Sequence, residues 1–157
     1  MRVGIGYDAH RLAIGRPLIL GGVEIPFDKG LEGWSDADVL SHAIIDSLLG
    51  AAGSRDIGYH FPPNDPAYKD ISSVTLLNRV ADLLKSHGWR IGNIDATIIA
   101  ERPLLRPFIT QMKQNIALAL SIGETQISVK ATTNEGMGFV GKEEGIAAYA
   151  VALLEKA

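Results

Sequence analysis

The chain has 157 residues, 46% hydrophobic and 21% charged, the size and balance of one water-soluble domain able to bury its own core. With no cysteine, disulfide frameworks, thiolate metal sites and thiol nucleophiles are excluded, so any metal must be held by histidine and carboxylate. A net charge of −3 without a basic block argues against nucleic acid, and the longest apolar stretch, Ile146 to Leu154, is too short to span a bilayer.

No repeat, low-complexity tract or linker divides the chain, so residues 1–157 are read as a single domain. Arg2 to Gly6 has the pattern of a strand, which leaves no room for a signal peptide and points to a cytoplasmic protein. Pro17 to Leu20 and Val23 to Ile25 flank Gly21-Gly22 as a hairpin, and Asp28 to Trp34 is expected to be a glycine-rich loop. A helix is expected from Ser35, where Ser35-Asp36-Ala37-Asp38 resembles a capping box with Asp in place of Glu. Leu40, Ile44 and Leu48 continue it at helical spacing to Gly50 or Gly53, which places His42 on its second turn. Ser54 to Asp70, with three prolines, is expected to be a long irregular loop.

A second helix runs from Ser72 to His87, with Val74, Leu77, Val80, Ala81 and Leu84 inward and Gly88 as its C-cap. Ile94 to Ala100 is a buried strand, Pro107 opens a helix lasting to Leu120, and Ile127 to Ala131 is a strand leading into Thr132-Thr133-Asn134-Glu135-Gly136. Gly145 to Leu154 is a strand or a helix: its Ala and Leu content favours helix, its alternation favours strand.

Asp8, His10 and His42 supply two imidazoles and a carboxylate, the ligand set of an open zinc site. Asp8 and His10 sit at i, i+2, so on an extended segment they face the same side. The same pattern also suits a surface ion pair or a satisfied core histidine. Thr132 to Glu135 gathers two hydroxyls, an amide and a carboxylate, suited to phosphate and a hard cation or simply to a polar turn. Asp56-Ile57-Gly58 offers a second hard carboxylate or a turn. The helix start near Ser35 is a candidate anion site, unless Asp36 and Asp38 already satisfy it. His87 is read as structural and His60 as solvent-facing. No Walker loop or dinucleotide fingerprint is present, since Gly4-x-Gly6 lacks the third glycine.

Five segments then occur in order: Gly6-Tyr7-Asp8-Ala9-His10, Gly21-Gly22-Val23-x-Ile25-Pro26, Ser35-Asp36-Ala37-Asp38-Val39-x-x-His42-Ala43, Asp56-Ile57-Gly58-x-x-Phe61-Pro62, and Val129-Lys130-Ala131-Thr132-Thr133-Asn134-Glu135-Gly136-x-Gly138-Phe139. Taken together they resemble the 2-C-methyl-D-erythritol 2,4-cyclodiphosphate synthases of the non-mevalonate isoprenoid pathway, over essentially the whole chain. The resemblance implies an α+β fold, a mixed β-sheet covered on one face by helices, in a homotrimer whose three sheets face a central axis. It implies zinc on Asp8, His10 and His42, and magnesium or manganese on Glu135 and substrate phosphates. The implied reaction closes 4-diphosphocytidyl-2-C-methyl-D-erythritol 2-phosphate into the cyclic diphosphate with release of CMP.

Thr133 and the residue at position 34 are the implied catalytic groups. Implied substrate contacts are Asp8, His10, Trp34 and Ser35; Asp56, Ile57 and Gly58; Phe61, Pro62, Pro63, Asn64 and Asp65; Thr132, Thr133, Asn134 and Glu135; and Phe139 and Lys142. A neighbouring subunit would add a cytidine pocket of Ala100, Glu101, Arg102, Pro103, Leu104, Leu105 and Arg106. Three positions depart from the family pattern: Trp34 stands where a histidine is usual, Leu104 where a lysine is usual, and Lys142 where an arginine is usual. Arg102 or Arg106 would have to compensate for Leu104. Two rival readings are a zinc-dependent phosphohydrolase and a catalytically weakened, metal-stapled trimer that binds nucleotide or isoprenoid phosphate.

Overall fold

A computed structural model describes residues 1–157. The fold is α+β. In chain order the strands are β1 (Arg2–Ile14), β2 (Leu18–Leu20), β3 (Val23–Ile25), β4 (Lys29–Leu31), β5 (Trp89–Ile99), β6 (Ile127–Thr132) and β7 (Gly145–Lys156). The helices are α1 (Val39–Ala52), α2 (Ile57–His60), α3 (Ser73–Ser86), α4 (Ile109–Leu120) and α5 (Gly138–Gly141). Five strands form one sheet in the order β4-β1-β7-β5-β6, antiparallel except for the parallel β5–β6 pair, and β2–β3 is the separate hairpin expected around Gly21-Gly22.

The alternation in Gly145–Lys156 prevails over its helix propensity, and the reason lies in its neighbour. Ile146, Ala148, Ala150, Ala152 and Leu154 are buried on the side that receives α1. On β1, paired with β7, the matching positions are Gly4 and Gly6. A Cβ on Gly6 would lie 1.9 Å from the Ala43 carbonyl, and one on Gly4 2.0 Å from that of Ser47. Small residues therefore let the helix backbone rest directly on the sheet, and tertiary packing overrides local preference. The opposite face is uncovered: Val3, Ile5, Tyr7, Tyr149 and Val151 are exposed, and the Tyr7 and Tyr149 rings meet at a 45° tilt with centroids 4.8 Å apart.

Four expectations are corrected. Lys29–Leu31 is an edge strand rather than loop, because Leu12, Ala13 and Ile14 of an unexpectedly long β1 pair with it. The first helix begins at Val39, not Ser35; Asp38 is its N-cap, and His42 falls in the first turn. Within Ser54 to Asp70 the prolines break the chain only after Phe61, so Asp56 caps the short α2 and Asp65 caps a 3₁₀ turn at Pro66–Tyr68. His60 is half-buried there, its Nε2 donating to the Ser54 carbonyl at 2.7 Å rather than facing solvent. His87 is the C-cap of α3, its Nδ1 donating to Leu83 O at 2.8 Å.

Candidate active site

The path of β1 carries Asp8 and His10 to one side of the sheet, and the first turn of α1 brings His42 over them. Their ligand atoms converge: Asp8 Oδ2 is 2.8 Å from His10 Nε2 and 3.0 Å from His42 Nδ1, and the two nitrogens are 3.2 Å apart. A tetrahedral set with bonds of about 2.0–2.1 Å holds its ligand atoms roughly 3.3 Å apart, so the cluster needs little adjustment to close on a cation.

The remaining nitrogens assign the tautomers. His10 Nδ1 lies 2.7 Å from the Glu32 carbonyl, which only accepts, so Nδ1 carries a proton and in the neutral ring it is Nε2 that keeps the lone pair. His42 Nε2 lies 2.8 Å from Ser73 Oγ, and the Ser73 hydroxyl itself donates to Asp36. That oxygen must therefore accept from His42 Nε2–H, which leaves Nδ1 its lone pair. Both imidazoles are held by partners that aim them at a cation, the arrangement of orienting groups behind metal ligands. Burial opposes the charged forms of Asp8 and His10, but their mutual hydrogen bond and attraction prevail. The Asp8 carboxyl falls to about 2 and the His10 imidazole rises above its ordinary value. In the metal-free chain a proton does part of what a cation would do.

Beside this cluster lies a cavity of ≈ 240 Å³ lined by Asp8, His10, Trp34, Ser35, His42, Ile57, Gly58, Phe61, Pro63, Tyr68 and Leu76. Asp56, Pro62, Asn64 and Asp65 belong to the same bounding segment. The Trp34 indole N–H is already engaged, donating to the Asp65 carbonyl at 2.9 Å. No free helix terminus stands at Ser35: the buried Asp38 carboxylate accepts from the Gly21, Gly22 and Ser41 N–H groups and from the Ser41 hydroxyl at 2.8–3.0 Å. The satisfied alternative is the one realised.

Thr132 and Thr133 lie elsewhere. They line a second cavity, ≈ 630 Å³, with Ala100, Glu101, Pro103, Leu104, Leu105 and Arg106, and the two cavities share no lining residue. Adjacent parallel strands explain this, since the loops after β5 and β6 leave the sheet side by side. Arg102 turns from the cavity to a bidentate pair with Glu143 at 2.7 Å, and Arg106 makes no ion pair. Glu135 holds a φ of 53° just beyond Thr133, a left-handed position costing a non-glycine residue about 1–2 kcal/mol. Such strain marks a candidate functional turn. Phe139 contributes to a smaller concavity with Ala9, His10, Arg11, Glu144 and Gly145, and Lys142 is exposed at the C-cap of α5.

Sequence reasoning missed the orienting residues Glu32, Asp36 and Ser73, which only the tertiary fold brings near the histidines. It also missed Asp46, whose position four residues after His42 on one helix face was a usable signal. Asp46 accepts the Ile57 N–H at 2.7 Å and so ties α2 to α1. Burial, together with the Asp56 and Asp8 charges, raises its carboxyl above the ordinary value despite that bond.

A mixed sheet bearing a two-histidine, one-carboxylate cluster at the root of a helix has the donor set of a metal-dependent enzyme. Residues 1–155 match the YgbB family. The chain is 62% identical over 156 residues to the 2-C-methyl-D-erythritol 2,4-cyclodiphosphate synthase of Pelotomaculum thermopropionicum, covering 99% of this chain and 96% of that one. It is 60% identical over 157 residues to the synthase of the same name from Syntrophomonas wolfei, with both chains fully covered. Among solved structures, the CDP complex of IspF from Plasmodium falciparum superposes with a TM-score of 0.87 at 37% identity, over 99% of this chain and 96% of that one. The bifunctional IspDF of Campylobacter jejuni gives a TM-score of 0.95 at 40% identity; 99% of this chain matches, spanning 42% of that longer one. The chain belongs to the YgbB family.

Proposed function

We propose that the protein is a cytoplasmic enzyme that converts 4-diphosphocytidyl-2-C-methyl-D-erythritol 2-phosphate into 2-C-methyl-D-erythritol 2,4-cyclodiphosphate and CMP. A 2-phosphate oxygen bonds to the β-phosphorus, the bond from that phosphorus to the bridging oxygen breaks, and CMP leaves with that oxygen. The observation that carries this reading is the paired tautomer control at His10 and His42, found in a chain 62% and 60% identical to two named synthases over nearly its full length. Asp8, His10 and His42 would hold zinc, and Glu135 with substrate phosphate oxygens magnesium or manganese; such cations supply Lewis-acid charge that offsets repulsion between phosphates.

The chain's own residues do the positioning. The attacking oxygen is already anionic, so no general base is required, and holding the two phosphates in line is the main task. The Thr133 hydroxyl accepts the Glu135 N–H at 3.3 Å, which leaves its hydrogen for a phosphate oxygen. Ile57, Gly58 and Phe61 line the cavity beside the proposed metal cluster. Arg106, unpaired at the rim of the larger cavity, offers the charge that Leu104 cannot. A relative solved as a CDP complex supports a cytidine nucleotide as ligand, and the larger cavity is where this reading puts it.

We further propose a homotrimer packed through the uncovered sheet face, each complete site combining the metal cluster of one copy with the nucleotide cavity of its neighbour. The apolar strip on β1 and β7 and the separation of the two cavities support this. The engaged Trp34 N–H favours a second reading, a slow synthase of the same specificity.

The test is to incubate purified protein with the diphosphocytidyl substrate, with and without chelator. CMP and the cyclic product are expected, abolished by chelation and restored by zinc with magnesium. Linear phosphates would identify a phosphohydrolase, and nucleotide binding without CMP release a binding protein.

A further inference from the structure

The loops that leave β5 and β6 are joined by one carboxylate. Glu101 Oε1 accepts the backbone N–H of Asn134 at 2.9 Å and that of Gly136 at 3.1 Å. These two peptide groups flank Glu135, and Glu135 and Gly136 are consecutive left-handed residues with φ of 53° and 75°. Asn134 closes the turn twice, its carbonyl accepting Met137 N–H and its Nδ2 donating to Met137 O, both at 3.0 Å. Ala100 N–H extends the ladder to Thr132 O at 3.0 Å. On the other side of Glu101, Arg102 is fixed by its fork on Glu143. The Glu101 backbone is thus anchored on both flanks, while its side chain reaches across to the one turn that carries both Thr133 and Glu135.

We infer that Glu101 is a positioning residue: its carboxylate clamps the Thr133–Gly136 turn in its left-handed form and couples that turn to the wall of the larger cavity. The catalytic consequence rests on the proposed function, but the clamp is a property of the chain without substrate or cation. A charged acceptor holding two N–H groups is a strong restraint. A neutral amide oxygen at the same place retains both bonds at lower strength, and alanine offers neither. A rival role, in which Glu101 lends negative charge to a cation beside Glu135, predicts instead that charge alone matters.

Glu101→Gln and Glu101→Ala separate the two. In the full-length protein, hydrogen exchange at the Asn134 and Gly136 amides should quicken by about tenfold or more in Glu101→Ala and stay close to wild type in Glu101→Gln, with amides of α1 and β7 unchanged in both. In CMP release at saturating cation, Glu101→Ala should lose about tenfold or more in kcat, and Glu101→Gln should recover to within about threefold of wild type. Equal exchange in all three proteins overturns the clamp, as does a Glu101→Gln variant as impaired as Glu101→Ala. If wild-type protein releases no CMP, the functional reading fails while the exchange series still decides the clamp.

Discussion

The Trp34 indole donates to Asp65 and covers the cavity beside Asp8 and His10, so this side chain latches the Phe61–Asp65 segment and has no N–H left for a phosphate. Replacing a lost preorganised donor is typically worth about 10²–10³ in kcat. Trp34→His restores a donor but loosens the latch, so a kcat gain below about tenfold is expected together with a raised KM; a gain of two orders of magnitude would make position 34 a principal catalytic group. The metal cluster has its own pH signature. The Asp8 carboxyl drops from 3.8 to about 2 on folding, so it stabilises the metal-free protein fully above pH 3.8 and ceases to as pH falls toward 2. His10 rises from 6.5, so its contribution is complete below pH 6.5 and fades as pH climbs through its folded value. Thermal unfolding in chelator should therefore show this cluster helping most between pH 3.8 and 6.5. Zinc should remove the alkaline decline, because the cation replaces the proton. His42→Ala should abolish stoichiometric zinc and cost about 1–3 kcal/mol, since Ser73 Oγ loses the N–H it accepts and Asp8 loses one of its two imidazole partners; full zinc occupancy in that variant would refute the ligand assignment.

At the level of elements, the contact of α1 with β1 sets the distance between His42 on one and Asp8 and His10 on the other. Gly6→Ala places a methyl 1.9 Å from the Ala43 carbonyl, and backbone must move to admit it. The expected result is destabilisation of about 3 kcal/mol or more and weaker zinc binding, whereas Gly123→Ala, whose methyl meets only ordinary contacts at 3.5 Å, should leave zinc affinity unchanged. Local pattern gave β2, β3, α3 and β6 to within a residue at each end, because their periodicity is carried by their own side chains, while β5 begins five residues earlier than expected, at Trp89. It misplaced the start of α1 because Asp36 is drawn to Ser73 and Asp38 to Gly21 and Gly22, contacts no local rule contains. The edge strand Lys29–Leu31 exists only through its pairing with β1. Site residues were legible where motif and fold coincide, as at Asp8, His10 and His42. The grouping of Thr132 and Thr133 with Ala100–Arg106 was not, since it follows from the parallel neighbours β5 and β6.

The whole molecule presents an apolar sheet face that a lone chain would leave in water, with Ile5 69% and Val3 67% exposed. Burying such a strip drives association, at roughly 25 cal/mol per Å² of apolar surface removed from water. Ile5→Asp should leave the single-chain core intact, because Ile5 points away from it, yet prevent assembly. Sedimentation velocity should find a trimer for wild type and a monomer for Ile5→Asp, and an unaltered trimer would place the interface elsewhere.

The separation of the two cavities on one chain has a genetic consequence. In the proposed trimer His42→Ala would spoil only the proposed metal half and Thr133→Ala only the proposed nucleotide half, so neither variant alone should be active. Unfolded together in equal amounts and reassembled, the two should complement: where a Thr133→Ala copy supplies the cluster and a His42→Ala copy the cavity, both halves are sound. Random mixing in a cyclic trimer makes about a quarter of the junctions sound, so two dead proteins should return about a quarter of wild-type turnover. If both cavities served a single site within one chain, the mixture would stay dead at every ratio.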